Sequence, residues 1–504
     1  MASTTPPPAV VSEKILVEKS EQVVADGDIE STQKSVSDDG FVEPSPQEWR
    51  KLLWKLDLRI IPYVGVLYLC SFLDRVNIGN AKVAGLTEDI DITDSEYNWA
   101  LSIFFIGYII FEVPSNLMLK YIGPSKWISI VMMAWGVTMA AMAAVHNGAG
   151  LMASRFFLGI TEAGLFPGVI FYLTLWYTRK EQATRLALFF GCSTLAGAFG
   201  GVLAYGIMQM DGIRGMHGWQ WIFIIEAIPT LFFACTTYFV LPDFPETKNR
   251  FLTEREREIV VRRLKLDAGP STETHFSMKQ FYAAFLDWKV YMHSAVYICC
   301  VAPLYSLSMF MPTIIQGMGF SDLQAQAMSA PPYAFACVAT ILTAMHADKR
   351  VERGLHVAVP GVLGLLGYVL LITLNNRGMV AMYISACITT IGVFAQIPAM
   401  LSWFSNNIGG HTKRGVATAI IVSLGNIGGA VGGQIYRAQD GPFYARGHQI
   451  CAGLMAGAIV LSCIFKYMLH RMNKARDNMT EEEYKKACEG EDLCDYHPDF
   501  RYIT

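Results

Sequence analysis

The chain has 504 residues, 53% of them hydrophobic and only 16% charged, with a formal net charge of -3. Soluble domains carry about a quarter charged residues, so an ordinary soluble protein is excluded, and the near-neutral balance by itself names no partner. The apolar residues fall in long uninterrupted runs, which a soluble core does not need and a bilayer crossing of about 20 residues does.

In chain order, residues 1–47 are polar and rich in Ser, Pro, Glu and Asp, without the basic start and short apolar stretch of a signal peptide. They read as a disordered cytosolic tail. Apolar runs then predict spans near 57–79, 97–119, 125–145, 150–175, 184–208 and 219–241, an N-terminal six-helix bundle over 48–242. Residues 243–287 carry dense charge at helical spacing, including Glu254, Arg255, Glu256, Arg257, Glu258, Arg262 and Arg263, and read as a solvated cytosolic linker. A second set near 288–313, 325–346, 355–374, 379–401, 415–437 and 448–470 predicts a C-terminal six-helix bundle over 288–472, and 473–504 reads as a cytosolic tail. The expected fold is an all-α membrane protein of twelve transmembrane helices. Backbone groups in lipid must be paired within a helix or a closed barrel, and runs this long without a period of two exclude the barrel.

Basic residues in short loops set the orientation. Lys120, Lys126, Arg179, Lys180, Arg185, Lys349, Arg350, Arg353, Lys413 and Arg414 all fall on one side, which the positive-inside rule assigns to the cytosol. The first loop on the other side is acidic, with Glu88, Asp89, Asp91, Asp94 and Glu96, and both termini are expected in the cytosol. Nine of the eleven cysteines lie within predicted spans, so no disulfide framework is implied. No zinc-ligand spacing, phosphate-binding glycine loop or nucleophile elbow occurs in a suitable context. A transporter rather than an enzyme is expected, with no cofactor, no metal and no nucleic-acid partner.

An ionisable residue at bilayer depth costs several kcal/mol by insertion scales, about 2.5–3.5 at a helix centre, so each one needs a reason to be there. Asp74 and Arg75 sit late in the first span, Glu112 late in the second, and Arg155 and Glu162 in the fourth. The first span runs outward and the fourth inward, which brings Arg75 and Arg155 to similar depth. Paired guanidinium donors match the two oxygens of a carboxylate ligand; the alternative is that Asp74 and Arg75 simply pair and anchor the span's outer end. Glu162 lies about two turns beyond Arg155 on the same helical face. A carboxyl there responds to whether an anion occupies the nearby Arg, as proton coupling requires; the alternative is a permanent ion pair between helices. Glu112, close to Pro114, suits a gate or a helix-end salt bridge. Tyr108, Tyr305, Gln396, Trp403 and Asn426 are the further polar and aromatic candidates for a cavity wall. Gly191, Gly197, Gly200, Gly201 and Gly206 in the fifth span have counterparts in Gly425, Gly428, Gly429, Gly432 and Gly433 of the eleventh, which suggests close helix approach and internal repeats.

The run Ser71-Phe72-Leu73-Asp74-Arg75-Val76-Asn77-Ile78-Gly79-Asn80-Ala81 resembles the first-span signature of the anion:cation symporter family of the major facilitator superfamily. So do Arg155-Phe156-Phe157-Leu158-Gly159 and Glu162-Ala163-Gly164-Leu165-Phe166-Pro167-Gly168. With Trp219-Gln220-Trp221-Ile222-Phe223, Leu241-Pro242-Asp243 and Pro331-Pro332-Tyr333, they look like the fungal branch of allantoate, nicotinate and pantothenate permeases. The resemblance implies two bundles with alternating access, acting as a monomer in the lipid bilayer of the plasma membrane or of an internal membrane such as the vacuole. It implies proton-coupled uptake of a small organic anion, with Arg75 on the substrate, Asp74 and Glu162 carrying protons, and Tyr108 and Asn426 lining the cavity. Two departures stand out. The loop Leu119-Lys120-Tyr121-Ile122-Gly123-Pro124-Ser125-Lys126 lacks the superfamily's Asp, whereas Ala347-Asp348-Lys349-Arg350-Val351-Glu352-Arg353-Gly354 keeps acid and base, so Asp348 and Arg350 are expected to carry gating. Ala198 stands where the drug-antiporter motif has Pro. Export of an acidic metabolite and a non-transporting nutrient sensor remain the alternatives.

Overall fold

The computed structural model describes residues 44–247, 251–268, 277–489 and 493–504. Contacts divide the chain into Met1–Lys55 and Leu56–Thr504. In the first unit the helix that becomes span 1 opens at Pro46, whose missing N–H costs nothing in a first turn. The second unit carries the rest.

Twelve helices are long and apolar enough to cross a membrane. Spans 1 to 6 are Pro46–Val83, Asp94–Ile122, Pro124–Ala144, Gly148–Trp176, Thr184–Met210 and Gly218–Val240. Spans 7 to 12 are Trp288–Gly317, Asp322–Arg350, Gly354–Thr373, Met379–Asn407, Thr412–Gly432 and Ala445–Asp477. They fall on the apolar runs, and no strand occurs among the described residues. The main departures are extensions, as in span 12, where helical hydrogen bonding continues through Lys474 and Arg476 after hydropathy has faded. Entry points carry local signals: Thr93 and Glu96 form a reciprocal capping box at the start of span 2, and Asn147 caps span 4.

Spans 1, 4, 8 and 10 are interrupted, span 1 at Asn77. Span 4 changes helix at Ala163 and Gly164, immediately after Glu162. In spans 8 and 10 the second segment opens with Pro331-Pro332 and Pro398, where the absent N–H ends the first ladder. Broken helices free backbone groups within a span, a common setting for transporter sites.

Spans 1–6 pack among themselves chiefly through spans 2 with 4 and 3 with 6, and spans 7–12 through 7 with 11 and 9 with 10 and 12. The seam between the two bundles is made by span 2 on 11, span 5 on 8 and span 1 on 7. The glycine-rich spans 5 and 11 thus both lie on the seam. A Cβ at Gly201 would collide with Ser329 Oγ and the Gln326 carbonyl of span 8, and one at Gly429 with the Phe105 ring of span 2. Gly191 and Gly206 meet nothing, so only part of the span 5 series serves close approach, whereas every glycine of the span 11 series does.

The helix Glu254–Ala268 marks one face of the molecule, the linker face. There the Asp missing from the loop after span 2 has a substitute, since Asp243 Oδ1 at the end of span 6 accepts the Ser125 N–H at 2.8 Å. The linker helix Glu254–Ala268 buries Ile259 and Val260, and its Arg263 pairs with Glu181 at 2.8 Å. Residues 493–504 fold onto the second bundle. Asp495, fully buried, meets Lys413 at 2.6 Å and Lys289 at 3.0 Å, and the same two lysines hold Asp287 at 2.7 and 2.9 Å. Asn407 Nδ2 and Trp403 Nε1 both donate to the Ile503 carbonyl, and Arg476 of span 12 donates to the carbonyls of Phe500 and Asp495.

Candidate functional site

Arg75, near the break in span 1 at Asn77, is 2% exposed and stands at the seam. Its Nη2 and Nε donate to Glu162 Oε1 at 2.5 and 3.1 Å, and its Nη1 donates to the Tyr305 hydroxyl of span 7 at 2.6 Å. Ser71 Oγ, one turn earlier, also donates to Glu162 Oε1 at 2.5 Å. One carboxylate oxygen therefore takes three donors, while Oε2 is buried without a partner.

Arg155 lies behind this pair. Its Nη2 donates to the Arg75 carbonyl at 3.2 Å, and its Nε and Nη1 have no hydrogen-bond partner. Both guanidiniums meet the Phe104 ring, whose centroid is 5.3 Å from Arg75 Cζ and 4.9 Å from Arg155 Cζ. Glu162 thus serves Arg75 rather than the Arg on its own helix, because the span crossing sets which guanidinium its carboxylate meets.

Asp74, adjacent in sequence to Arg75, points the other way into the first bundle. Its Oδ2 accepts from Thr230 Oγ1 at 2.7 Å and Trp135 Nε1 at 3.0 Å. One turn on, Asn77 Nδ2 donates to Glu226 Oε2 at 2.8 Å. Glu226 is the only charged residue in span 6 and 1% exposed, so the signal that marks Glu162 marks it too, although the sequence reading above does not name it. Asp74 Oδ1 and Glu226 Oε1 are both buried without partners.

A cavity of about 20 Å³ lies beside Arg75, with Tyr68, Tyr108, Tyr297, Tyr305 and Asn426 as its polar lining. That is room for about one water, far short of the few hundred Å³ of a typical ligand pocket, so the seam is closed around the site. The Tyr108 ring is 5.2 Å from Arg75 Cζ. Arg75, Tyr108, Tyr305 and Asn426 are brought together here; Arg155 is adjacent but behind. Gln396 and Trp403 are not in this group. Gln396 Nε2 bonds the Val393 carbonyl at 3.3 Å and Met455 sulfur at 3.5 Å within the second bundle, and Trp403 holds the C-terminal segment.

Glu112 is 1% exposed, and its Oε2 accepts from Ser423 Oγ and Asn426 Nδ2 of span 11, both at 3.2 Å. Of the gate and the helix-end salt bridge expected for it, the salt bridge is not formed among the described residues; its partners are neutral and lie across the seam, because Glu112 faces span 11 well inside the helix. On the linker face Asp348 accepts from Thr184 of span 5 at 3.1 Å and from Arg353 at 2.6 Å, so it too bridges the bundles, while Arg350 is exposed. Glu352 beside it takes Lys466 and His356, each at 2.6 Å, and hydrogen bonds from Lys466, the Leu355 N–H and His356, with the charge of Lys466, hold its carboxyl below the ordinary range despite the opposing effect of burial.

Twelve apolar helices in two six-helix bundles, meeting at a seam that holds a small cavity beside Arg75, are the architecture of a membrane transporter. The chain belongs to the Major Facilitator Superfamily, whose profile it matches over residues 64–433. It is 38% identical to the MFS transporter prlL of Fungal sp. (strain NRRL 50135) over 448 residues, covering 87% of this chain and 90% of that one. It is 34% identical to a putative tartrate transporter of Agrobacterium vitis over 442 residues, 86% of this chain and 95% of the relative. Among solved structures, the proton:xylose symporter XylE shares the fold with a TM-score of 0.64 at 15% identity, over 83% of this chain and 96% of XylE.

Proposed function

We propose that the chain is a proton-coupled symporter of the anion:cation type that imports a small carboxylate such as nicotinate, allantoate, pantothenate or a related acid. The observation that carries this reading is the charge at the seam. Two guanidiniums, Arg75 and Arg155, are buried side by side; Glu162 pairs with Arg75 alone, and two nitrogens of Arg155 are unpartnered. Asp74 and Glu226 meet only neutral donors. An isolated buried carboxylate is too costly to hold ionised, so on this reading each keeps its proton. The site is then one positive charge in excess, which attracts an anion. The relative named as a putative tartrate transporter supports a carboxylate cargo.

The mechanism follows from Glu162. An incoming carboxylate takes the Arg75 fork, displacing Glu162 Oε1. The displaced carboxylate, left buried with only Ser71, binds a proton at the open Oε2. Anion and proton then travel together, with the linker face as the cytosolic side, Asp74 as a second proton carrier, and Asp348 and Arg350 at the gate. The protein works as a monomer at the plasma membrane.

Proteoliposomes loaded at neutral pH and diluted into acid medium provide the test. Labelled nicotinate, allantoate, pantothenate or tartrate should accumulate and be lost on adding a protonophore. Accumulation of any of them that ignores the protonophore removes proton coupling, and failure of all four removes this substrate class.

A further inference from the structure

We propose that Glu112 is a proton-releasing latch of the seam: its neutral carboxyl ties span 2 to span 11, and its ionisation on the linker side opens that tie. This rests on the proton-coupled reading above and adds an exit for the proton. Glu112 lies one turn beyond Tyr108 toward the linker face, below the Arg75 cavity. It is buried at the contact between the bundles, with Ser423 Oγ and Asn426 Nδ2 on one oxygen and nothing on the other. No cation lies within ion-pair reach of it among the described residues, whereas Glu162 has one at 2.5 Å.

The surroundings select the neutral form. Arg75 of span 1, Tyr108 on its own helix, and Tyr297 and Tyr305 of span 7 are the titratable groups whose charge reaches Glu112. Of these Arg75 alone is charged, and Glu162 neutralises it. Span 4 turns Arg155 and Glu162 toward Arg75; span 3 carries only Lys126, in its first turn; Lys413 of span 11 is held by Asp287 and Asp495, and Arg414 donates to the Ile408 carbonyl. An ionised Glu112 would thus be buried with two neutral donors, a cost of several kcal/mol, which water relieves once spans 2 and 11 separate. The latch is also tied to the cargo, because Asn426 holds Glu112 and lines the cavity at once. A carboxylate that takes the Asn426 amide removes one of the two donors and weakens the tie from the cavity side.

The test needs no substrate. Hydrogen exchange of the full-length protein in detergent, corrected for intrinsic rates, is followed at pH 5.5 and 8 over 96–122 and 412–436. In the wild type, exchange in these segments should rise several-fold at the higher pH. Glu112→Gln keeps the acid's shape without ionising and should hold acid-like protection at both values. Ser423→Ala, which removes one donor and leaves the charge, should move the midpoint upward, because that donor favours the ionised form. A wild type without pH response overturns the latch while leaving gradient-driven accumulation to judge the symport reading separately. An equal response in Glu112→Gln also overturns it, and should that variant unfold, an unmoved midpoint in Ser423→Ala does the same.

Discussion

Arg75 of span 1 donates to the Tyr305 hydroxyl of span 7 at 2.6 Å while pairing with Glu162 of span 4, so the cation at the centre of the first bundle is also a tie to the second. A ligand that competes for this guanidinium therefore changes both the charge balance of one bundle and the grip between the two. We predict that Tyr305→Phe folds normally and lowers transport several-fold, since it removes one acceptor worth about 1–3 kcal/mol to a charged donor and leaves Arg75–Glu162 intact. Initial rates against concentration, with surface expression measured in parallel, check this.

Arg75→Lys keeps the charge but replaces a fixed fork by a point donor. We predict at least about a tenfold loss of apparent affinity for the anion, and loss of saturable uptake in Arg75→Ala with the protein still at the membrane. Normal uptake by Arg75→Ala would take the anion away from this residue.

Much of this site was legible because bilayer depth makes charges rare. Arg75, Asp74, Glu112, Arg155 and Glu162 stand out from apolar runs in any reading of the sequence. Partners were not legible, because they depend on how helices cross: Glu162 faces Arg75 across two spans, and Asp74 turns its back on the cavity next to its neighbour. Gln396 and Trp403 show the limit for polar and aromatic residues, which a span buries within its own bundle as readily as at the seam. The docking of Asp495 had no pattern to announce it, since its lysines lie 82 and 206 positions away in the chain.

The buried group Asp287, Lys289, Lys413 and Asp495 ties spans 7 and 11 and the C-terminal segment together, so it should move with the second bundle and hold it together. We predict that Asp495→Asn leaves two lysines with one carboxylate and destabilises the protein by about 3–5 kcal/mol, without altering the substrate affinity of the protein that folds. Thermal unfolding in detergent, paired with uptake kinetics, separates the two effects.

Asp287 gives this group a pH signature. Burial raises its carboxyl, but Lys289 and Lys413 outweigh that and hold it below its ordinary value of 3.8. A depressed folded value contributes stability above the unfolded value and loses it as pH falls through the folded one. The melting temperature should therefore drop on acidification below about pH 4, and Asp287→Asn should flatten that drop while lowering stability at neutral pH.

Gly201 packs on Ser329 and Gln326 at the end of the seam away from the linker face. We predict that Gly201→Leu prevents closure there, giving a folded protein that binds anion from that side and does not transport. Sided binding to oriented vesicles, with transport measured on the same preparation, checks it.

The most direct measurement is the proton count on binding. Calorimetry of the purified protein at one pH in buffers of different ionisation enthalpy gives the protons exchanged as whichever of tartrate, nicotinate, allantoate or pantothenate is bound occupies the site. If the anion displaces Glu162 from Arg75, the wild type takes up about one proton more than Glu162→Gln at the same pH. Equal proton uptake in the two proteins, with binding retained, would contradict the exchange of Glu162 for the anion on which proton coupling depends.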